Sequence, residues 1–290
     1  KKCEQWMLER FEGSDGLAAI FPAMLNSVIA LEALGFPRHH PIFEREYREL
    51  KRLEHHTSDS MRIEPCFSPV WDTAIVSIAM RESGVPAEHP RMQQAASWLM
   101  DREIRFRGDW HHKNPVDLEP SGWVFEFNNK WNPDVDDTAM VLLALRLIPT
   151  DNRPRRDECF KRGYDWMLAF QCKDGGWAAF DKDCTKGILE KVPFADHNAM
   201  IDPSTPDITG RVLEMLGKFS FSRSDAAVQR AVDYLRATQE SDGSWYGRWG
   251  VNYLYGTWQV LVGLAQVGIT PSDGMMSRAV DWLLRYQQTS

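Results

Sequence analysis

The residues with the clearest chemical capacity in this chain lie in Asp134-Val135-Asp136-Asp137-Thr138-Ala139-Met140, where three carboxylates occupy four positions just ahead of an apolar helical run. Carboxylates packed together cannot all ionise cheaply, so at least one can keep its proton near neutral pH and serve as a resident acid. Asp136 sits between the other two, and a hydrogen-bonded neighbour would aim its proton into a cavity. The helix N-terminus would stabilise the carboxylate left after proton transfer. Two other readings are open: Asp residues that only cap a helix, worth about 1 kcal/mol, or oxygen ligands for magnesium beside a diphosphate substrate. No basic phosphate clamp accompanies the acids.

The second chemical resource is aromatic. The chain holds 12 Trp, 14 Phe and 7 Tyr, and many of these rings must fill a core. A cavity walled by aromatic faces also stabilises cations that a counter-ion would trap, which makes an acid above such a cavity suited to carbocation chemistry. The doublets His39-His40, His55-His56 and His111-His112 lack the i, i+4 spacing of a helical zinc pair. They read as surface or loop histidines. No phosphate loop, dinucleotide fingerprint or Gly-x-Ser-x-Gly elbow occurs.

The elements that position these groups are announced by a repeat. Three segments share Arg-Gly/Ala-x-x-aromatic-Met/Leu-x-x-x-Gln: Arg162 to Gln171, Arg230 to Gln239 and Arg278 to Gln287. The first two close with Asp174-Gly175-Gly176-Trp177 and Asp242-Gly243-Ser244-Trp245. Weaker copies lie at 94–110, where Glu103 replaces the Gln, and at 2–17. Each unit is a helix, a Gly-bearing turn and a second apolar helix, expected over Asp72 to Glu82, Thr138 to Ile148, Ile208 to Phe219 and Gly256 to Val267. The Gln is expected to bond a neighbouring turn, with the Trp covering it. Stacked helical pairs bury a continuous core and can close on themselves, so the fold class is all-α, an α/α barrel.

Residues 17–34 read as one unusually apolar helix, and the charged stretch 51–66 as a domain boundary. A formal charge of −7 argues against nucleic acid. Five cysteines without a paired framework fit a reducing compartment. No apolar stretch reaches 18 residues, so no spanning helix is expected. No signal peptide is visible. The N-terminus opens inside a helical pattern and the last repeat stops short of its Gly-x-Trp, so the chain is expected to be the middle of a longer protein.

The acid motif, the Gln-x-x-x-Gly-x-Trp repeats, Ser68-Pro69-Val70-Trp71-Asp72-Thr73 and Gly247-Arg248-Trp249-Gly250-Val251-Asn252-Tyr253-Leu254-Tyr255-Gly256-Thr257 together resemble bacterial squalene-hopene cyclases over essentially the whole chain. The acid motif alone is shared with diterpene cyclases that make copalyl diphosphate. The resemblance implies a class II triterpene cyclase of two α/α barrels, with residues 1–66 a remnant of the inserted barrel and 67–290 most of the acid-bearing one. It implies protonation of squalene and a cascade of ring closures ending in hopene, or in hopanol by water capture, with no metal or organic cofactor. By position Asp136 is the proton donor, with Asp134 and Asp137 its hydrogen-bonding and electrostatic partners, and Asp207 belongs to the same polar cluster. Trp71, Phe125, Trp249 and Tyr255 match cavity aromatics.

Two positions depart from the family. Arg211 stands where familiar members carry a His bonded to the acid, and Phe180 where they carry a Tyr. An arginine can stabilise the aspartate but cannot relay a proton, and Phe180 keeps a π-face without a hydroxyl. The segment Ile188 to Phe194 matches the region near the substrate entrance. The implied partners are squalene and a membrane lipid surface, with monotopic attachment to the cytoplasmic side of the bacterial inner membrane; a homodimer stays open. These 290 residues alone are expected to be weakly active or inactive. The alternatives are a diphosphate-bearing terpenoid cyclase and a noncatalytic helical-toroid binding module.

Overall fold

Proline at the first turn, where its missing N–H costs nothing, starts many of the helices in the computed structural model, which describes residues 1–150, 152–192 and 200–288. The helices are α1 (Lys2–Phe11), α2 (Phe21–Ala33), α3 (Pro41–Lys51), α4 (Pro69–Glu82), α5 (Pro90–Asp101), α6 (Asp109–Lys113), α7 (Val135–Leu147), α8 (Arg153–Ala169), α9 (Pro206–Lys218), α10 (Ala226–Ala237), α11 (Asn252–Gln266) and α12 (Gly274–Tyr286). Between α3 and α4 a short antiparallel hairpin pairs β1 (Glu54–His56) with β2 (Met61–Ile63).

From α4 onward the helices form two layers of an α/α barrel. The inner helices α4, α7, α9 and α11 pack side by side in that order, and α5, α8, α10 and α12 lie against them from outside. Helix α7 is apolar on every side, with Val135 and all residues from Asp137 to Leu145 buried, as an inner helix must be. The expected inner helices are all present. They begin two to four residues earlier than the apolar periodicity suggested, α4 and α9 because Pro69 and Pro206 open them.

The repeat fixes each joint in the same way. Trp123, Trp177 and Trp245 are wholly buried, and their indole Nε1 atoms donate to the carbonyls of Leu99, Met167 and Leu235 near the ends of α5, α8 and α10, at 2.7, 2.9 and 2.8 Å. Their backbone N–H groups donate to the hydroxyls of Thr138, Thr209 and Thr257 within the first two turns of α7, α9 and α11, at 3.0, 3.0 and 2.9 Å. Each Trp thus ties the end of an outer helix to the start of an inner one. The Gln171 side-chain amide donates to Gly175 and to Ala227 of the next unit, and Gln239 does the same to Gly243 and Met275.

A link that the repeat did not announce closes the pattern. The Arg that opens each unit donates to the acceptor that ended the unit before: Arg230 to Gln171, Arg278 to Gln239 and Arg162 to Glu103, the last with both arms at 2.8 and 2.7 Å. Glu103 is therefore a working replacement for the Gln, one that converts a neutral bond to a charge-assisted pair.

Residues 17–34 are not one helix. A 3-10 turn at Leu17–Ala19 precedes α2, with Ala18 and Ala19 at φ of 54° and 50°. Helices α1 to α3 bury their own cluster around Met7, Phe11, Met24, Val28, Leu31, Phe43 and Leu50. They join the barrel through Arg10 Nε on Asp109 at 2.7 Å, Trp131 Nε1 on the Glu12 carbonyl at 3.0 Å and Asp15 N on the Asn128 carbonyl at 3.0 Å.

Three buried acids fold at a cost that depends on pH. Burial pushes Glu46 and Glu126 up to about 7 and Asp202 to about 6. The native chain therefore binds protons that the unfolded chain has already released, and stability is full below the ordinary carboxylate range and lost as pH rises through about 6 to 7. The melting temperature is expected to be higher at pH 5.5 than at pH 8; a thermal scan showing the reverse slope would contradict this assignment.

Candidate functional site

The turn around Trp123 delivers the acids. Asp134 N donates to the Trp123 carbonyl at 2.9 Å, and Val135 N to Ala179 of the following turn at 2.8 Å, so the start of α7 is held from two repeats at once. Asp134 is the N-cap, its carboxylate accepting from Asp137 N at 2.8 Å. Capping is therefore real, and it belongs to Asp134. Asp134 and Asp137 are 3% exposed. The side chain of Asp136 is 15% exposed, which makes it the one acid of the three that a substrate can reach.

The expected bonding of Asp136 by its two sequence neighbours is not what the structure shows. Asp134 and Asp137 engage each other, while Asp136 Oδ1 accepts from Arg211 Nε at 2.9 Å. Residue 136 points across to α9 and the other two point back along their own helix start, which is why adjacency in sequence misled. Arg211 is the hub. Its remaining arms donate to the Tyr255 hydroxyl at 3.0 Å and to the Met140 sulfur at 3.4 Å, and its guanidinium lies 5.2 Å from the centre of the Trp71 ring. Met140 was not singled out in the sequence, although it stands at i+4 from Asp136 on the same helical face.

Burial, which disfavours charge, raises the pKa of Asp136; Arg211 pulls it back and Asp207 pushes it up, and the balance is upward. Asp136 therefore keeps a proton more readily than an ordinary aspartic acid, yet its anion is met by a fixed cation as it forms. Burial also lifts Asp134 and Asp137 well above the carboxylate range, and the charge of Asp136 raises both further. Tyr255 is pushed up to about 12, first by burial and then by Asp136. Its hydroxyl stays protonated.

The aromatic positions form neighbouring pairs. Trp71 lies against Phe125 with ring centres 6.1 Å apart, and Tyr255 against Trp258 at 6.0 Å. Phe180 meets Trp249 edge-on at 5.9 Å. Asp207 does not touch Asp136 through a bond: its carboxylate accepts from Trp249 N at 2.9 Å, and thus fixes an aromatic residue while adding negative potential. Phe180 N donates to Asp202, whose other oxygen lies 3.9 Å from Arg248. Residues 188–192 of the expected entrance form part of a 3-10 turn, Gly187–Lys191, and its end; Pro193 and Phe194 lie outside the described residues.

Residues 67–290 match the squalene-hopene cyclase C-terminal domain family, and residues 1–59 the squalene-hopene cyclase N-terminal domain family. The chain belongs to the squalene-hopene cyclase family. The squalene-hopene cyclase of Zymomonas mobilis is 41% identical over 98% of this chain and 44% of its own length. That of Alicyclobacillus acidocaldarius is 40% identical over 91% of this chain and 42% of its own. A dammaradiene synthase of Dryopteris crassirhizoma is 38% identical over 99% and 43%. The chain thus spans less than half the length of the curated relatives it matches. Among solved structures, the type II terpene cyclase of Scytonema in complex with geranylgeranyl dihydroxybenzoate shares the fold at a TM-score of 0.50 and 18% identity, over 92% of this chain and 65% of that one.

Proposed function

We propose that the protein containing this squalene-hopene cyclase family chain is an acid-initiated triterpene cyclase, with squalene as substrate and hopene, with hopanol by water capture, as product. The observation that carries the reading is the partly open Asp136 carboxyl, bonded to an Arg211 that also holds the Tyr255 hydroxyl and lies over the Trp71 ring. Squalene is the substrate printed in the names of the relatives from Zymomonas and Alicyclobacillus.

In this reading Asp136 gives its proton to a terminal double bond, and Arg211 stabilises the carboxylate that forms. Asp134 and Asp137 hold the donor's electrostatics in place, Asp207 supports Trp249, and Trp71, Phe125, Phe180, Trp249 and Tyr255 face the migrating positive charge. Hopene has the atoms of squalene rearranged, which makes the reaction an isomerisation. Hopanol differs by one water. A C30 hydrocarbon dissolves in bilayers and hardly in water, which supports monotopic work at the cytoplasmic face of the bacterial inner membrane; among the described residues no helix is long and apolar enough to cross one. The division at about residue 66 into parts of two barrels is proposed on the same footing.

The test is incubation of the full-length gene product with squalene in detergent, with extracts separated by gas chromatography and identified by mass. Pentacyclic products at the mass of squalene, and at that mass plus water, are expected. A folded full-length protein that leaves squalene untouched would contradict the reading.

A further inference from the structure

Resting on that reading, completion of the cascade depends on where the aromatic faces stand. Phe180 and Trp249 occupy matching places in consecutive repeats, three residues past Trp177 and four past Trp245, and their rings meet edge-on, 5.9 Å apart at 74°. A ring stabilises a cation through its face and only within about 6 Å, so a change of tilt or place withdraws it. A phenyl ring also lacks the polar handle by which a Tyr or Trp is tied down. Phe180, half-exposed, is therefore placed by its backbone.

That backbone is held by a brace. Ile201 and Asp202 lie on the segment returning to α9, just ahead of Thr205, whose N–H donates to the Trp177 carbonyl at 3.0 Å. The Asp202 carboxylate accepts from Phe180 N at 2.5 Å. Arg248, the residue before Trp249, donates through Nη2 to the Ile201 carbonyl at 2.7 Å, and its guanidinium stands 5.9 Å from the centre of the Trp249 ring. Asp202 and Arg248 are both buried. Asp202 Oδ1 and Arg248 Nε have no hydrogen-bond partner and lie 3.9 Å apart, so each charge compensates the other where water screens little. One dipeptide thus grips both loops, residue 180 through the Asp202 side chain and residue 248 through the Ile201 carbonyl and the opposed charge. Trp249 N is fixed separately, by Asp207 at 2.9 Å.

We propose that Asp202, backed by Arg248, is a positioning residue that sets product specificity: it holds Phe180 against Trp249 so that intermediate cations are kept until the next ring closes. A cation that loses this face sheds a neighbouring proton, giving a partly cyclised isomer of squalene, or takes up water, giving the corresponding alcohol. The donor Asp136 is clamped by Arg211 instead, so breaking the brace leaves the first protonation in place.

The experiment incubates the full-length protein with squalene and measures total conversion and the share of partly cyclised products by gas chromatography with mass detection. The parent is compared with D202A, D202N, F180A and the double variant F180A/D202A, each checked by thermal unfolding. D202A is expected to raise the share of partly cyclised products at least tenfold while total conversion falls by less, and F180A to raise the share likewise. D202N keeps an acceptor for Phe180 N without the charge that faces Arg248; its share is expected to rise at least threefold, and it carries the test if D202A does not fold. Because Asp202 acts through Phe180, the double variant should match F180A within about twofold. A product ratio kept at the parent's value, with or without a slower rate, or a double variant in which the two single effects multiply, would overturn the proposal. An active parent with unmoved variants fails this inference alone; a parent that makes no product fails the function itself, and this inference with it.

Discussion

Asp136→Asn in the full-length protein is expected to leave the fold intact and lower turnover of squalene by about 10²- to 10⁴-fold, the range that a positioned proton donor supplies. The amide oxygen of Asn can still accept from Arg211 Nε, and Asp136 is not the residue that caps α7. Structural loss should therefore stay near or below about 1 kcal/mol, the size of a cap contribution. Loss of chemistry without loss of structure separates an acid from a helix cap. Asp134→Asn is the useful contrast, because Asn caps as well as Asp and residue 134 does not face the open side. Its effect on turnover should be clearly smaller. The two variants are compared by product formation and by thermal unfolding; an active Asp136→Asn protein would remove that residue from the chemistry.

Gly263→Ala is expected to lower both stability and turnover. Helices α9 and α11 approach so closely that a Cβ on Gly263 would lie 2.1 Å from the carbonyl oxygen of Gly210, and one on Gly210 would lie 2.8 Å from that of Gln259. The obstacle is backbone, which cannot rotate away as a side chain can. Alanine's helix propensity returns at most about 1 kcal/mol, against an overpacking cost of about 1–3 kcal/mol or more. Since 1 kcal/mol moves the midpoint of a domain this size by about 2–4 °C, a fall of about 5 °C is expected. The same approach brings Arg211, beside Gly210, to Tyr255, beside Gly256, so separating the helices also loosens the clamp on Asp136. Gly274→Ala, where an added Cβ meets nothing closer than 3.6 Å, is the control and should melt with the parent. A Gly263→Ala protein that did the same would show that the helices do not need this contact.

How much of this was legible in the sequence differs from element to element. The Gln and Trp of the repeat could be read directly, because local spacing sets them: Trp177 and Trp245 recur at one distance from Gln171 and Gln239. The Arg links between units were not, since Arg230 and Gln171 are 59 positions apart and no local rule pairs them. Helix α7 was anticipated from its apolar run and its acids. The early starts of α4 and α9 were carried by Pro69 and Pro206, a signal present and underused. The break at Ala18 and Ala19 overrode an unbroken apolar pattern because positive φ there turns the chain. At the site, residue types identified Asp136 as a candidate and the family resemblance drew in Arg211, but only the crossing of α7 and α9 shows that they are bonded to each other. Glu126 stood in Phe125-Glu126-Phe127 as an acid between aromatics, and nothing in that spacing tells a buried acid from an exposed one.

The central claim is that a proton from Asp136 starts the reaction, and the most direct measurement is cyclisation of unlabelled squalene by the full-length protein in D2O. Asp136 exchanges its proton with solvent between turnovers, and the proton lost from the last cation comes from carbon. The account expects hopene one mass unit heavier than squalene, with the deuterium on the ring methylene carbon next to the gem-dimethyl carbon, where the first double bond took up its proton, and no such product from Asp136→Asn. Hopene formed without deuterium, or labelled hopene formed at parental rate by Asp136→Asn, would contradict it.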